Sequence, residues 1–399
     1  MYALAFNANE KYLPYLAVLL TSIIHNTKQD SNKMPYSFYL LIDKISKESE
    51  EKLENLILEL SKIYPCTLKI HLMNEDIFQQ YNLPKLNGNY LAYYRLLIGS
   101  VLEKEIESVL YLDVDMLVLS DLREIFTHMD IMRGEGGICG VVLDYLDTTR
   151  TLIPHTKDLP LLSGDFAKNY FNSGLLLMDL NAWRMQNLEE KALQIAKNYS
   201  CIEHDQSILN AALLDKTYKL PLKWNLLVYL YCNAKSLEEK KPNISYFKEE
   251  LKEALQSPCI LHFYTSHKPW EDAKVYVDYK GKFLGEYWWE MARKTPIFYA
   301  ELKELEEDAK NAKNFQINLG FKLYKIAKIF SVFSIFIIPF VVCFMVKDKQ
   351  NDVKIPMKLY NLCYEIGRAT LYAYDRRRKG KLFSLSFKIF KLIRRFRKL

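Results

Sequence analysis

The sequence has no C-x-x-C pair, no glycine-rich phosphate loop, no internal repeat and no low-complexity tract. Its cysteines, Cys66, Cys139, Cys201, Cys232, Cys259, Cys343 and Cys363, are scattered and odd in number, which argues against a disulfide framework and for a reducing compartment. Residues 1–6 run directly into an apolar, strand-like segment without a basic n-region or a small-residue cleavage site, so a secretory signal is not expected and the address is read as cytoplasmic.

What is present is the composition of a folded enzyme. Half of the 399 residues are apolar and 26% are charged, which excludes a mostly disordered chain, a collagen-like fibre and a multi-span membrane protein. The formal charge of +7 hides an asymmetry. Residues 314–399 carry 19 Lys/Arg against 4 Asp/Glu, and residues 1–313 carry 36 against 44. An acidic body therefore precedes a basic tail.

Short β-rich runs alternate with longer helical ones: 2–6 then 13–26, 38–42 then 46–63, 68–72 then 90–103, and 109–112. This alternation predicts βαβ units and a Rossmann-like α/β fold. Further apolar runs at 140–143, 174–178 and 260–263 add strands, some antiparallel, so a mixed sheet flanked by helices is expected. The charged stretch 286–313 reads as a solvated helix closing the body, and the division into 1–313 and 314–399 is drawn at its end.

In the tail, residues 329–346 form an uncharged run interrupted by Pro339, close to the shortest membrane-spanning length of about 17 residues; a kinked, re-entrant or buried core helix is the alternative. Residues 381–399 place Leu382, Leu385, Ile389, Leu392, Phe396 and Leu399 on one helical stripe, with Lys388, Lys391, Arg394, Arg395 and Lys398 mostly off it. That pattern predicts a helical tail lying on an anionic membrane surface. A nucleic-acid groove would call for polar and stacking residues instead, so no nucleic-acid partner is expected.

The chemistry concentrates in two strand ends. The run 109–112 ends in Asp113 and Asp115, and open α/β sheets place ligands at the carboxyl ends of strands. Residues at i and i+2 share a face, so the two carboxylates can hold a divalent cation suited to a nucleotide diphosphate. Taken alone, the pair fits a solvated turn equally well. A second apolar run ends in His262, followed by Lys268; a neutral imidazole can complete a cation site and an ammonium can pair with a phosphate oxygen.

At this point the sequence resembles glycosyltransferase family 8. The resemblance covers roughly residues 1–275. It rests on Phe6-Asn-Ala-Asn9-Glu-Lys-Tyr12, Tyr94-Arg95-Leu, Tyr111-Leu-Asp113-Val-Asp115, Phe171-Asn172-Ser-Gly174, Asp205-Gln206-Ser-Ile-Leu-Asn210 and His262 followed by Lys268-Pro-Trp270. It implies a GT-A fold in which Asp113, Asp115 and His262 hold Mn²⁺, with Mg²⁺ the alternative. It further implies that Asn9 and Tyr12 approach uridine, that Arg95 and Asn172 approach the donor sugar and phosphates, and that Lys268 meets the diphosphate. Asp205 and Gln206 would act beside the anomeric carbon, and Gln206, Asp205 and Lys268 form the expected catalytic set.

The implied reaction is retaining transfer of galactose or glucose from a UDP-sugar to a hydroxyl of a lipopolysaccharide- or lipooligosaccharide-type acceptor, at the cytoplasmic face of the plasma membrane. Two alternatives use the same residues differently. A haloacid dehalogenase-type phosphohydrolase would use the first carboxylate of Asp-x-Asp as nucleophile, and a non-enzymatic membrane adaptor would leave the pair incidental.

Overall fold

The computed structural model describes residues 1–399 except 31–32, 87, 145–150, 161, 164–168, 201–202, 232–247, 265–267, 272–275, 279–280, 331–341, 343–359, 376–383, 386–387, 390 and 394–399. The chain forms two compact units, Met1–Leu302 and Lys303–Leu399.

The first unit is an α/β body. Its strands are β1 (Tyr2–Asn7), β2 (Tyr36–Ile42), β3 (Cys66–Leu72), β4 (Ser108–Leu112), β5 (Met116–Val118), β6 (Cys139–Leu143), β7 (Thr151–Pro154), β8 (Leu162–Ser163), β9 (Phe171–Asp179), β10 (Tyr199–Ser200), β11 (Thr217–Lys219), β12 (Leu226–Leu227) and β13 (Ile260–His262). A seven-stranded sheet runs in the order β11-β6-β9-β4-β1-β2-β3. Strand β9 is antiparallel to both of its neighbours, β4 and β6, whereas β1 is parallel to β2 and β4, so the sheet is mixed as expected. All nine residues of β9 are buried, which places this strand at the centre of the body.

The helices α1 (Leu13–His25) and α2 (Lys47–Ser61) follow β1 and β2. Pro14 opens α1 at a position where a missing N–H is harmless, and Ser46 caps α2 by accepting from Ser49 N. The run 90–103, expected to be helical, forms instead a 3-10 segment, Leu91–Leu97, followed by the short helix Ile98–Val101. The tight 3-10 turn buries Tyr93, Tyr94 and Arg95 together, which brings Arg95 inward to the end of β4.

The stretch 286–313 is not one solvated helix. Helix Leu284–Ala292 buries Trp288 and Trp289, with Trp288 against Tyr15 and Trp270. The chain then breaks before the helix Tyr299–Phe330. Pro296 cannot donate to a helical ladder, and Ile297 takes a left-handed φ of 66°.

In the second unit, Leu319, Leu323, Val342, Leu362, Ile366, Ala369, Ala373, Leu385, Ile389 and Ile393 form one apolar cluster, with Leu392 packed against it. The stripe expected to face lipid therefore turns inward at Leu385, Ile389 and Leu392, because the helices Tyr299–Phe330 and Tyr360–Asp375 present apolar faces of their own to cover it. Leu382, Phe396 and Leu399 lie outside the described residues, as does most of 329–346. Among the described residues, no helix is long and apolar enough to cross a membrane.

Arg184 locks the segment that feeds β4. Its guanidinium donates to the carbonyl oxygens of Gly99 (2.7 Å), Leu102 (3.0 Å), Glu103 (3.0 Å), Lys104 (3.2 Å) and Ile106 (2.9 Å). Arg184→Ala leaves these acceptors without their shared donor and is expected to lower stability by roughly 2–3 kcal/mol, read as a lower urea midpoint at unchanged slope.

Candidate active site at the ends of β4, β9 and β13

Asp113 and Asp115 occupy the connection from β4 to β5, and backbone bonds hold that connection at both sides. Asp113 N donates to Gly174 O of β9 at 2.9 Å, and Phe263 N donates to Asp115 O at 2.9 Å. Because β13 pairs antiparallel with β5, with His262 opposite Met116, the imidazole arrives beside both carboxylates. His262 Nε2 lies 3.2 Å from Asp115 Oδ1 and 3.9 Å from Asp113 Oδ2.

Each carboxylate divides its two oxygens. Asp113 Oδ1 accepts from Arg95 Nη2 (2.7 Å) and from the Tyr111 hydroxyl (2.7 Å), and Asp115 Oδ2 accepts from Lys268 Nζ (2.5 Å). The other two oxygens face His262. Burial pushes the Asp115 carboxyl up, but the Lys268 ammonium and the His262 imidazole overcome it and hold the group well below the usual carboxylate range.

Arg95 is 6% exposed and serves both sides of the site. Besides Asp113, its Nη1 donates to Ser173 O (2.7 Å), its Nε lies 3.3 Å from Asp205 Oδ2, and its guanidinium covers the Tyr111 ring at 4.6 Å. Asp205 also accepts from Ser173 Oγ at 3.0 Å; burial pushes its carboxyl up, partly offset by Arg95. Asp205 does not cap its helix, His204–Ala212, since its side chain points to Ser173 and Arg95.

Strand β9 fixes the amides. Ser173 N donates to Gln206 Oε1 (3.1 Å), and Gly174 N donates to Asn172 Oδ1 (3.1 Å). These backbone donors settle which end of each side chain is the oxygen, so Asn172 Nδ2 faces Gln206 Oε1 at 3.0 Å and Gln206 Nε2 faces Asp144 Oδ2 at 3.4 Å. Arg95, Asp113, Asp115, Asn172, Asp205, Gln206, His262 and Lys268 are thereby brought into one continuous polar network.

Asn9 and Tyr12 sit just past the end of β1, which lies beside β4 in parallel register. Asn9 precedes the 3-10 turn Glu10–Tyr12 without capping it, and its buried Oδ1 has no partner among the described residues. Tyr12 is 38% exposed and meets Trp270 edge-on at 6.5 Å. Trp270 stacks on Tyr15 at 3.9 Å, and Trp289 Nε1 donates to Pro269 O, so the Lys268-Pro-Trp270 turn is anchored on α1 and the helix Leu284–Ala292.

Sequence reasoning passed over four participants. Tyr111 and Ser173 stand inside quoted motifs, where their hydroxyls were a usable signal; Asp144 and Asn225 carry no local signal. Asn225 bonds both Asn172 and His262.

The residues present fit a divalent cation. Asp113, Asp115 and His262 each offer one ligand atom, all within 4.8 Å of one another. Asp113, Asp115 and Asp205 face the fixed cations of Arg95 and Lys268, an excess of negative charge. Gly174 keeps the space open, since a Cβ there would lie 2.5 Å from His262 Cε1 and 2.8 Å from Asp113 Oδ2. Gly174→Ala is expected to displace both side chains and to lower stability by about 1–3 kcal/mol, measured by chemical denaturation.

Residues 3–274 match the model of Glycosyl transferase family 8. General stress protein A of Bacillus subtilis (strain 168) is 25% identical over 273 residues, which cover 66% of this chain and 85% of that protein. A lipopolysaccharide 1,2-glucosyltransferase of Escherichia coli is 28% identical over 273 residues, covering 67% and 73%. The crystal structure of galactosyltransferase LgtC in complex with donor and acceptor sugar analogs superposes with a TM-score of 0.53 at 18% identity, over 74% of this chain and 96% of that one, and shares the fold. Neither the phosphohydrolase nor the adaptor alternative finds support here. The chain belongs to glycosyl transferase family 8 and is a glycosyltransferase with a GT-A fold.

Proposed function

We propose that the protein is a retaining hexosyltransferase that moves galactose or glucose from a UDP-sugar to a hydroxyl of a lipopolysaccharide- or lipooligosaccharide-type acceptor. The observation that carries this reading is the convergence of Asp113 Oδ2, Asp115 Oδ1 and His262 Nε2 on one space. A divalent cation held there, Mn²⁺ with Mg²⁺ as the alternative, supplies positive charge to offset the departing diphosphate. The similarity to a lipopolysaccharide 1,2-glucosyltransferase supports the same substrate class.

The chain's own residues divide the remaining work. Lys268, tethered between Asp115 and Phe263 O, offers an ammonium to a phosphate oxygen at the edge of the cation site. Arg95 holds Asp113 and Asp205 in place and, with Asn172, borders the donor sugar and phosphates. Asp205, braced by Ser173, orients sugar hydroxyls, and Gln206, with its carbonyl oxygen fixed by two donors, stands where positive charge develops on the sugar. The Oδ1 of Asn9, without a partner among the described residues, and the exposed ring of Tyr12 suit a nucleobase, here uridine.

In Asp115→Asn, transfer falls by about 100-fold or more while the protein stays folded. UDP with Mn²⁺ at about 100 Kd stabilises the parent by roughly 2.7 kcal/mol and the variant far less, seen as a rise in melting temperature. Turnover of UDP-sugar by Asp115→Asn at the parental rate would remove the metal from the mechanism.

For the second unit, association with the anionic inner face of the plasma membrane follows from charge. Residues 303–399 carry 22 Lys/Arg against 8 Asp/Glu, and Lys388 and Lys391 are exposed while Leu385 and Ile389 are buried. Contact with headgroups by solvated lysines, without insertion of the buried stripe, is the mode this supports. A lipid-anchored acceptor would then be met at the surface where it lies. Replacing both Lys388 and Lys391 by Gln is expected to weaken co-sedimentation with phosphatidylglycerol vesicles by roughly tenfold at low salt, and about 0.5 M salt should abolish the difference. Equal binding of parent and variant at low salt would count against this surface.

A further inference from the structure

Asn225 belongs to none of the motifs that carry the family resemblance, yet it is 0% exposed and stands at the centre of the site. It closes the 3-10 turn Leu222–Asn225, which Cys259 N holds to the start of β13 by donating to Lys223 O at 2.8 Å. From there the two ends of its amide are used in opposite directions. Nδ2 donates to Asn172 Oδ1 at 2.9 Å, and Oδ1 lies 2.9 Å from His262 Nδ1.

The direction of these bonds follows from the backbone. Asn172 Oδ1 already accepts from Gly174 N, so the Asn225 atom facing it must be a donor, and the opposite end must be the carbonyl oxygen. A carbonyl oxygen facing Nδ1 requires a proton on Nδ1. In the neutral imidazole that a bound cation would need, this leaves the lone pair on Nε2, the nitrogen facing Asp115 Oδ1 and Asp113 Oδ2. A backbone N–H of β9 therefore sets the tautomer of a histidine on β13 through two asparagines.

We propose that Asn225 is a positioning residue: it selects the His262 tautomer that presents Nε2 as a metal ligand, and it ties that ligand to the Asn172–Gln206 pair on the sugar side. The consequence for metal binding rests on the reading given under Proposed function; the tautomer itself rests on hydrogen-bond directions alone. Partners of a ligating histidine of this kind fix ring orientation and raise ligand basicity.

Two variants of the full chain separate the two ends of the amide. Asn225→Leu keeps the branched shape and removes both bonds, and Mn²⁺ affinity, read from free Mn²⁺ by electron paramagnetic resonance, is expected to fall about 10- to 100-fold. Asn225→Asp keeps an acceptor for Nδ1–H but sets a second acceptor against Asn172, so Mn²⁺ affinity should stay within about threefold while kcat at saturating Mn²⁺ drops by roughly tenfold. A folded Asn225→Leu that binds Mn²⁺ like the parent overturns the proposal, as does an Asn225→Asp that loses Mn²⁺ affinity tenfold or more. That second arm decides alone if the leucine variant does not fold. A parent that binds no Mn²⁺ sinks the metal reading instead. In that case the ¹⁵N-histidine spectrum of metal-free protein decides the tautomer: an exchange-protected His262 Nδ1–H in the parent that Asn225→Leu lacks sustains it, and the same protected proton in both overturns it.

Discussion

Two aspartates one residue apart put four carboxylate oxygens at the end of β4, and the way those oxygens are shared organises everything around them. One oxygen of each is taken by a fixed cation, Arg95 for Asp113 and Lys268 for Asp115, and the other turns to His262. Without the two cations, like charges this close would drive one carboxyl to hold its proton. With them, the Asp115 carboxyl is held well below the usual carboxylate range. Arg95 depends on the arrangement in turn, because a buried guanidinium without Asp113 and Asp205 is an uncompensated charge worth about 3–5 kcal/mol.

The fold supplies the precision that these charges need. Strand β9 runs antiparallel between β4 and β6, and its register shifts between Val141 and Val142 where it passes Asn172 and Phe171. At that point its backbone N–H groups turn to side chains: Ser173 N to Gln206 and Gly174 N to Asn172. Irregular pairing at the sheet's edge of order is thus the source of oriented amides, a known use of bulges near active sites. A three-stranded sheet, β12-β13-β5, then carries His262 to the same place.

Much of this was legible from residue order. The strand ends bearing Asp113 and His262 were visible as apolar runs closing in polar residues, and the mixed sheet followed from the further apolar runs at 140–143, 174–178 and 260–263. Other inferences failed for identifiable reasons. The stretch 286–313 reads as charged on average, but Trp288 and Trp289 bury in the aromatic cluster around Trp270 and Pro296 interrupts the ladder. The spacing of Leu385, Ile389 and Leu392 correctly marks one apolar face; periodicity says that a face will be covered, and not whether lipid or protein covers it.

Residue identity and order determined the alternation of strands and helices, the segregation of charge between body and tail, and the chemical types gathered at strand ends, because each is a local property of the chain. Tertiary structure alone decided which oxygen of Asp113 meets Arg95, why position 174 must lack a Cβ, and how Asn225 comes to hold His262. Those outcomes rest on pairings between distant segments, Asp113 with Gly174 and Asp115 with Phe263, whose register is set by the packing of whole strands and leaves no periodic trace in the sequence near any one of them.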